Sequence, residues 1–139
     1  MTWIAMTASS SGELPLVNEH DIVLSRQAVR RMCQQLGFSL VDQTKMVTAA
    51  SELARNALIY GGGGLLRWSI LEQGAKRGLR LSFEDQGPGI PNLDLALTDG
   101  WSSGSGLGLG LTGSRRLVNE FELESTVGVG TRVAITRWK

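Results

Sequence analysis

Between Ser102 and Gly113 the chain reads Ser-Ser-Gly-Ser-Gly-Leu-Gly-Leu-Gly-Leu-Thr-Gly, five glycines in twelve residues. Glycine this dense leaves the backbone bare, and each glycine inside a helix costs about 1 kcal/mol against alanine. Such a cost points to a segment where close approach matters, for instance of a bulky anion to successive N–H groups. Leu107, Leu109 and Leu111 punctuate the run, unlike a plain Gly/Ser linker, although a flexible loop is the competing reading. Glu84-Asp85-Gln86-Gly87-Pro88-Gly89 precedes it and Glu52-Leu-Ala-Arg-Asn56 lies further upstream. The three segments together suggest a nucleotide site.

The rest of the chain limits what surrounds that site. Its 139 residues suffice for one domain with a real core, and the first 12 are expected to be loosely ordered or disordered. A formal net charge of +1 shows no nucleic-acid footprint and no acidic tail. Cys33 is the only cysteine, so no internal disulfide forms, and its helical setting fits a reducing cytoplasm. No segment approaches the roughly 20 apolar residues of a membrane span. The expectation is a cytoplasmic protein that engages neither nucleic acid nor membrane.

Residues 13–17 predict a strand, and Pro15 places it at an edge because proline cannot donate to a ladder. From Asn18 or Asp21, the spacing of Ile22, Ala28, Val29, Met32 and Leu36 predicts a helix that Gly37 ends. Ser39 with Asp42 resembles a capping box, opening a second helix that stops before Gly61. Residues 65–71 and 79–84 predict strands joined through Gly74 to Gly78. A third helix is expected from near Leu107 to Glu120, then a hairpin of 121–127 with 131–138 around Gly128 and Gly130. About five strands and three helices without strict alternation argue for an α+β two-layer sandwich. Its sheet would be mixed, mainly antiparallel, with the helices on one face.

Glu52 and Asn56 lie one turn apart on one side of the second helix. A carboxylate there can accept a proton, and an asparagine oxygen suits Mg²⁺, which retains water and phosphate ligands; a plain solvated face is the other reading. Asp85 ends an apolar strand, so it either accepts a hydrogen bond from a base amino group or begins an ordinary Asp-Gln-Gly-Pro turn. No lysine or arginine occurs between Arg80 and Arg115, so phosphate charge must be met by backbone donors, Mg²⁺ and groups from elsewhere.

Other chemistries fail on residue counts and context. Gly108-Leu-Gly-Leu-Thr-Gly113 matches G-x-G-x-x-G but follows a loop, not the first strand of a βαβ unit. No P-loop lysine motif and no His-Arg-Asp or Asp-Phe-Gly triplet is present. One histidine, His20, and one thiol leave no structural zinc set and no Ser-His-Asp triad. Trp101, inside the Gly-Ser segment, is the tryptophan suited to a partner contact.

The order Glu-x-x-x-Asn, Asp-x-Gly-x-Gly, Gly-x-Gly-Leu-Gly and Gly-x-Gly-Thr resembles the GHKL ATPase/kinase superfamily, with matches spread over nearly the whole chain. The wording Ser-Glu-Leu-Ala-Arg-Asn, Glu-Asp-Gln-Gly-Pro-Gly-Ile-Pro and Asp-Gly-Trp-Ser looks like the RsbT-type serine/threonine kinases of bacterial partner switching. The resemblance implies the Bergerat fold, ATP and Mg²⁺. Glu52 would be the general base and Asn56 the Mg²⁺ ligand. Asp85, with Gly87 and Gly89, would bind adenine, and Thr131 would support that pocket. Gly104, Gly106, Leu107, Gly108 and Gly110 would form the ATP lid. It further implies a serine substrate on a STAS-domain antagonist, activation of a PP2C-type phosphatase and a stressosome-like assembly. An anti-sigma factor holding a sigma factor is the alternative.

Overall fold

Period-two alternation builds the sheet and 3.6-period stripes build its cover. The computed structural model describes residues 7–97 and 107–139. In chain order these form β1 (Thr7–Leu16), α1 (Glu19–Leu36), α2 (Leu40–Ile59), β2 (Gly64–Gln73) and β3 (Lys76–Asp85), then the single-turn α3 (Leu93–Ala96), α4 (Leu107–Arg116), β4 (Glu120–Thr126) and β5 (Gly130–Trp138). The strands make one sheet in the order β1-β2-β3-β5-β4. Every pairing is antiparallel, so the expected mixed sheet is a wholly antiparallel one.

Leu66, Leu79, Leu81, Phe83, Val133 and Ile135 face the helices and are buried together with Val29, Met32, Leu36, Met46 and Leu53. The opposite face carries cross-strand ion pairs: Glu13 with Arg67 at 2.9 Å, Arg80 with Glu122 at 2.6 Å and Arg132 with Glu124 at 3.0 Å. Exposed pairs of this kind contribute about 0–1 kcal/mol each, so this face is a solvated layer and the helix side holds the core. The result is the expected α+β sandwich.

Several boundaries differ from the sequence reading. Residues 7–12 are not loose: they extend β1, and Ser11 and Gly12 pair with Ser69 and Trp68 of β2. Pro15 does sit on an edge strand. The β2–β3 turn shrinks to Gly74-Ala75, with Gly74 at φ +62°, and residues 76–78 join β3. The third helix stops at Arg116, not Glu120, because the Asn119 N–H already donates to the Thr136 carbonyl and starts the β4 ladder. Residues 1–6, Trp101, Gly104 and Gly106 lie outside the described residues.

Helix caps also redistribute. The full capping box belongs to α1, where Asn18 accepts from the Asp21 N–H and Asp21 returns the bond to the Asn18 N–H. At α2, Ser39 accepts from the Asp42 N–H at 3.1 Å, but the Asp42 carboxylate turns to Arg137 at 2.6 Å. Arg137 also donates to the Leu117 carbonyl at 2.9 Å, tying α2, β5 and the α4–β4 connection together. The nearby Cys33 thiol is pushed up to about 12, chiefly by burial.

The Arg137 hydrogen bond holds the Asp42 carboxyl below its ordinary value. A group depressed in the folded state stabilises above its unfolded pKa, near 3.9, and that contribution fades as pH falls through the folded value. Asp42→Asn should therefore cost about 1 kcal/mol at pH 7, discounted for the 31% exposure of that side chain. Urea unfolding at pH 7 and pH 3 checks this, since the gap between the variant and the natural chain should narrow in acid.

Candidate nucleotide-binding site

The helix side of the sheet opens at one end into a partly enclosed cavity. Leu53, Asn56 and Ala57 come from α2 and Tyr60 from its C-cap, Phe83 and Asp85 from β3, and Thr131 and Val133 from β5. Pro88, Gly89 and Ile90 close it from the loop after β3, and Leu111 of α4 completes the wall. The lining is mostly apolar with a few convergent polar groups, the usual character of a small-molecule site.

Strand register explains the polar floor. Gly64, Asp85, Thr131 and Ser125 are cross-strand partners in one row on β2, β3, β5 and β4. One Asp85 carboxylate oxygen, Oδ1, accepts from the Gly87 N–H at 2.9 Å and the Thr131 N–H at 3.3 Å. Its other oxygen accepts no hydrogen bond from a described residue. A Cβ at Gly61 would fall on the Asp85 carboxyl group, so only glycine lets the end of α2 pass this close. Gly89 has φ +78° and lies against the Thr126 carbonyl, while the Gly128 N–H donates to the Pro88 carbonyl at 2.9 Å. The loop is thereby clasped by the β4–β5 turn.

The sequence-predicted residues separate into three groups. Asn56, Asp85, Gly89 and Thr131 share the cavity, and Gly87 supports it through Asp85. Leu107, Gly108 and Gly110 begin α4, whose Leu111 forms a wall, whereas Gly104 and Gly106 lie outside the described residues. Glu52 is exposed and lines an adjoining groove between α1 and α2 with Arg26, Arg30 and Ser51. Glu52 and Asn56 thus share a side of α2 but face neighbouring spaces.

The Asn56 side-chain nitrogen is buried and has no hydrogen-bond partner among the described residues. A buried amide without a partner is costly, so this atom marks a place where a polar ligand group fits. No cluster of three histidine, cysteine or acidic side chains occurs among the described residues. Asn56 also carries a side-chain carbonyl oxygen, the kind of neutral oxygen ligand that Mg²⁺ accepts beside water and phosphate.

Sequence reading missed Tyr60 and Ser125. Ser125 had a signal: it follows Phe121 and Leu123 at the third inward position of an alternating strand, where a polar residue stands out. Tyr60 had none, since it sits at the end of a helix beside glycine.

The sequence profile of the histidine kinase-, DNA gyrase B- and HSP90-like ATPases matches residues 41–139. The serine/threonine-protein kinase RsbT of Bacillus subtilis is 44% identical over 123 residues, covering 88% of this chain and 92% of that one. An anti-sigma F factor of Clostridium kluyveri is 30% identical over 119 residues, covering 81% and 82%. The crystal structure of the RsbU and RsbW domains of Rv1364c from Mycobacterium tuberculosis aligns with 93% of this chain at a TM-score of 0.64 and 19% identity. This chain spans about a third of that one (32%), and the likeness concerns the fold. With the profile spanning well over half its length, the chain belongs to the histidine kinase-, DNA gyrase B- and HSP90-like ATPase family.

Proposed function

We propose that this chain is an ATP- and Mg²⁺-dependent serine/threonine protein kinase of a bacterial partner-switching system. Family membership implies ATP binding. The observation that supports the nucleotide reading best is the Asp85 carboxylate, anchored through one oxygen and open to a base amino group through the other. In this reading Thr131 supports the base, Asn56 holds Mg²⁺, and the backbone around Leu107, Gly108 and Gly110 faces the phosphates together with Gly104 and Gly106. ATP supplies the phosphoryl group. Glu52 accepts the proton of the acceptor serine hydroxyl from its position in the α1–α2 groove.

The 44% identity to RsbT favours a STAS-domain antagonist as the serine substrate, a PP2C-type phosphatase as the activated target and a stressosome-like assembly as the setting. No described helix is long and apolar enough to cross a membrane, and a cytoplasmic site of action is part of the proposal. The test is transfer of label from γ-labelled ATP to a STAS-domain protein. Asn56→Ala should weaken Mg²⁺-dependent nucleotide binding by about tenfold or more and slow transfer in step. Transfer at an undiminished rate in that variant removes the Mg²⁺ assignment. The second reading, an anti-sigma factor, is favoured by the 30% identity to the anti-sigma F factor, and recovery of a sigma factor on co-purification selects it.

A further inference from the structure

The nucleotide cavity and the groove beside it differ in charge. Among the described residues that line the cavity none is basic, and Asp85 adds a negative charge, so the phosphates of a bound nucleotide meet no side-chain cation there. The groove between α1 and α2 carries two, Arg26 and Arg30, beside Gln27, Thr48, Ser51 and Glu52. Four residues apart, the arginines lie one turn from each other on the same side of α1, a spacing at which like charges work against the helix. Neither forms an ion pair with Glu52 or with any other described residue. Ser51 gives its proton to the Val47 carbonyl at 2.8 Å, whereas the Thr48 hydroxyl and the Gln27 amide make no hydrogen bond to a described residue and stand as donors.

Two guanidinium forks, a hydroxyl and an amide match the terminal oxygens of a phosphate monoester. Glu52 of the groove lies one turn from Asn56 of the cavity, so the two spaces adjoin where phosphoryl transfer is assigned. We infer that Arg26 and Arg30 hold the phosphoryl group on the acceptor side, meeting its charge as it passes from ATP to serine and binding the phosphoserine that results. The inference rests on the kinase reading of the site. In that step the bond between the γ-phosphorus and the β–γ bridging oxygen breaks and a bond from phosphorus to the serine Oγ forms. The serine proton passes to Glu52, and ADP leaves with the bonding pair. The arginines change no bond: they offset negative charge where the cavity side chains offer none.

Both side chains are exposed, and a double variant, Arg26→Gln with Arg30→Gln, should fold as the natural chain does. Inorganic phosphate is a probe that needs neither nucleotide nor partner. It should shift the backbone amide resonances of Gln27 and Thr48 in the natural chain and leave them unmoved in the double variant. No shift in the natural chain, or the same shift in the variant, overturns the inference without touching the kinase reading. In single-turnover transfer to a STAS-domain protein, with ATP and acceptor both saturating, the double variant should be slower by about 100-fold. Arg26→Lys with Arg30→Lys, which keeps the charge without the fork, should recover part of that rate. ATP affinity should stay within about twofold in both. A loss that vanishes at saturating acceptor assigns the arginines to docking alone and overturns the inference. Failure of the natural chain to transfer label overturns the kinase reading with it.

Discussion

Asp85→Asn should lose ATP affinity by on the order of 100-fold while the protein stays folded. The substitution preserves volume and one oxygen. That oxygen will continue to accept from the Gly87 and Thr131 N–H groups, because both donors are fixed in the backbone and an amide nitrogen facing them would leave them unpaired. The new NH₂ group is therefore directed into the cavity. There the natural chain presents an acceptor and the variant presents a donor, set against the donor of an adenine amino group. Loss of a charged acceptor and exposure of a mismatched donor act in the same direction. Titration with a fluorescent ATP analogue measures the effect and a thermal melt checks folding. An affinity within about twofold of the natural chain, in a folded variant, removes Asp85 from base recognition.

The residues gathered around Asp85 were legible for a physical reason. A carboxylate at the end of an apolar strand, followed by Gln-Gly-Pro-Gly, reads as a turn or as a ligand contact; Asp85 makes the turn bond to the Gly87 N–H through one oxygen, and its pairing with Gly64 follows from hairpin spacing. Thr131, after Gly128-Val-Gly130, falls opposite it through the non-local pairing of β3 with β5, which hairpin spacing does not encode. Residues 7–12 were not legible because Thr-Ala-Ser-Ser-Ser-Gly carries no apolar alternation. Their strand arises from the open edge of β2, a tertiary demand that no local pattern encodes. α3 was missed because four residues contain no helical period. The Asp42 cap was half legible: Ser39 does cap, but the competing partner Arg137 lies 95 residues away.

The separation of Glu52 from Asn56 is the largest departure with a functional consequence. Four residues advance a helix by about 400°, so the two side chains diverge by about 40° around α2. That divergence is enough for Asn56 to line the cavity and Glu52 to line the α1–α2 groove. In the proposed reaction, an acceptor hydroxyl that reaches Glu52 enters the α1–α2 groove that Arg26 and Arg30 also line. Binding and proton removal are assigned to different spaces, and mutation should separate them. Glu52→Ala should leave nucleotide affinity within about twofold, because Glu52 is exposed and does not line the cavity. Phosphoryl transfer to serine should fall by about 10²–10⁴-fold, the usual contribution of a positioned base. Single-turnover transfer under saturating ATP isolates this step from binding. Glu52→Asp, which keeps a carboxylate on a shorter side chain, should retain part of the rate. Transfer in Glu52→Ala at the natural rate assigns the proton to another acceptor, and the α1–α2 groove then has no claim on the incoming serine.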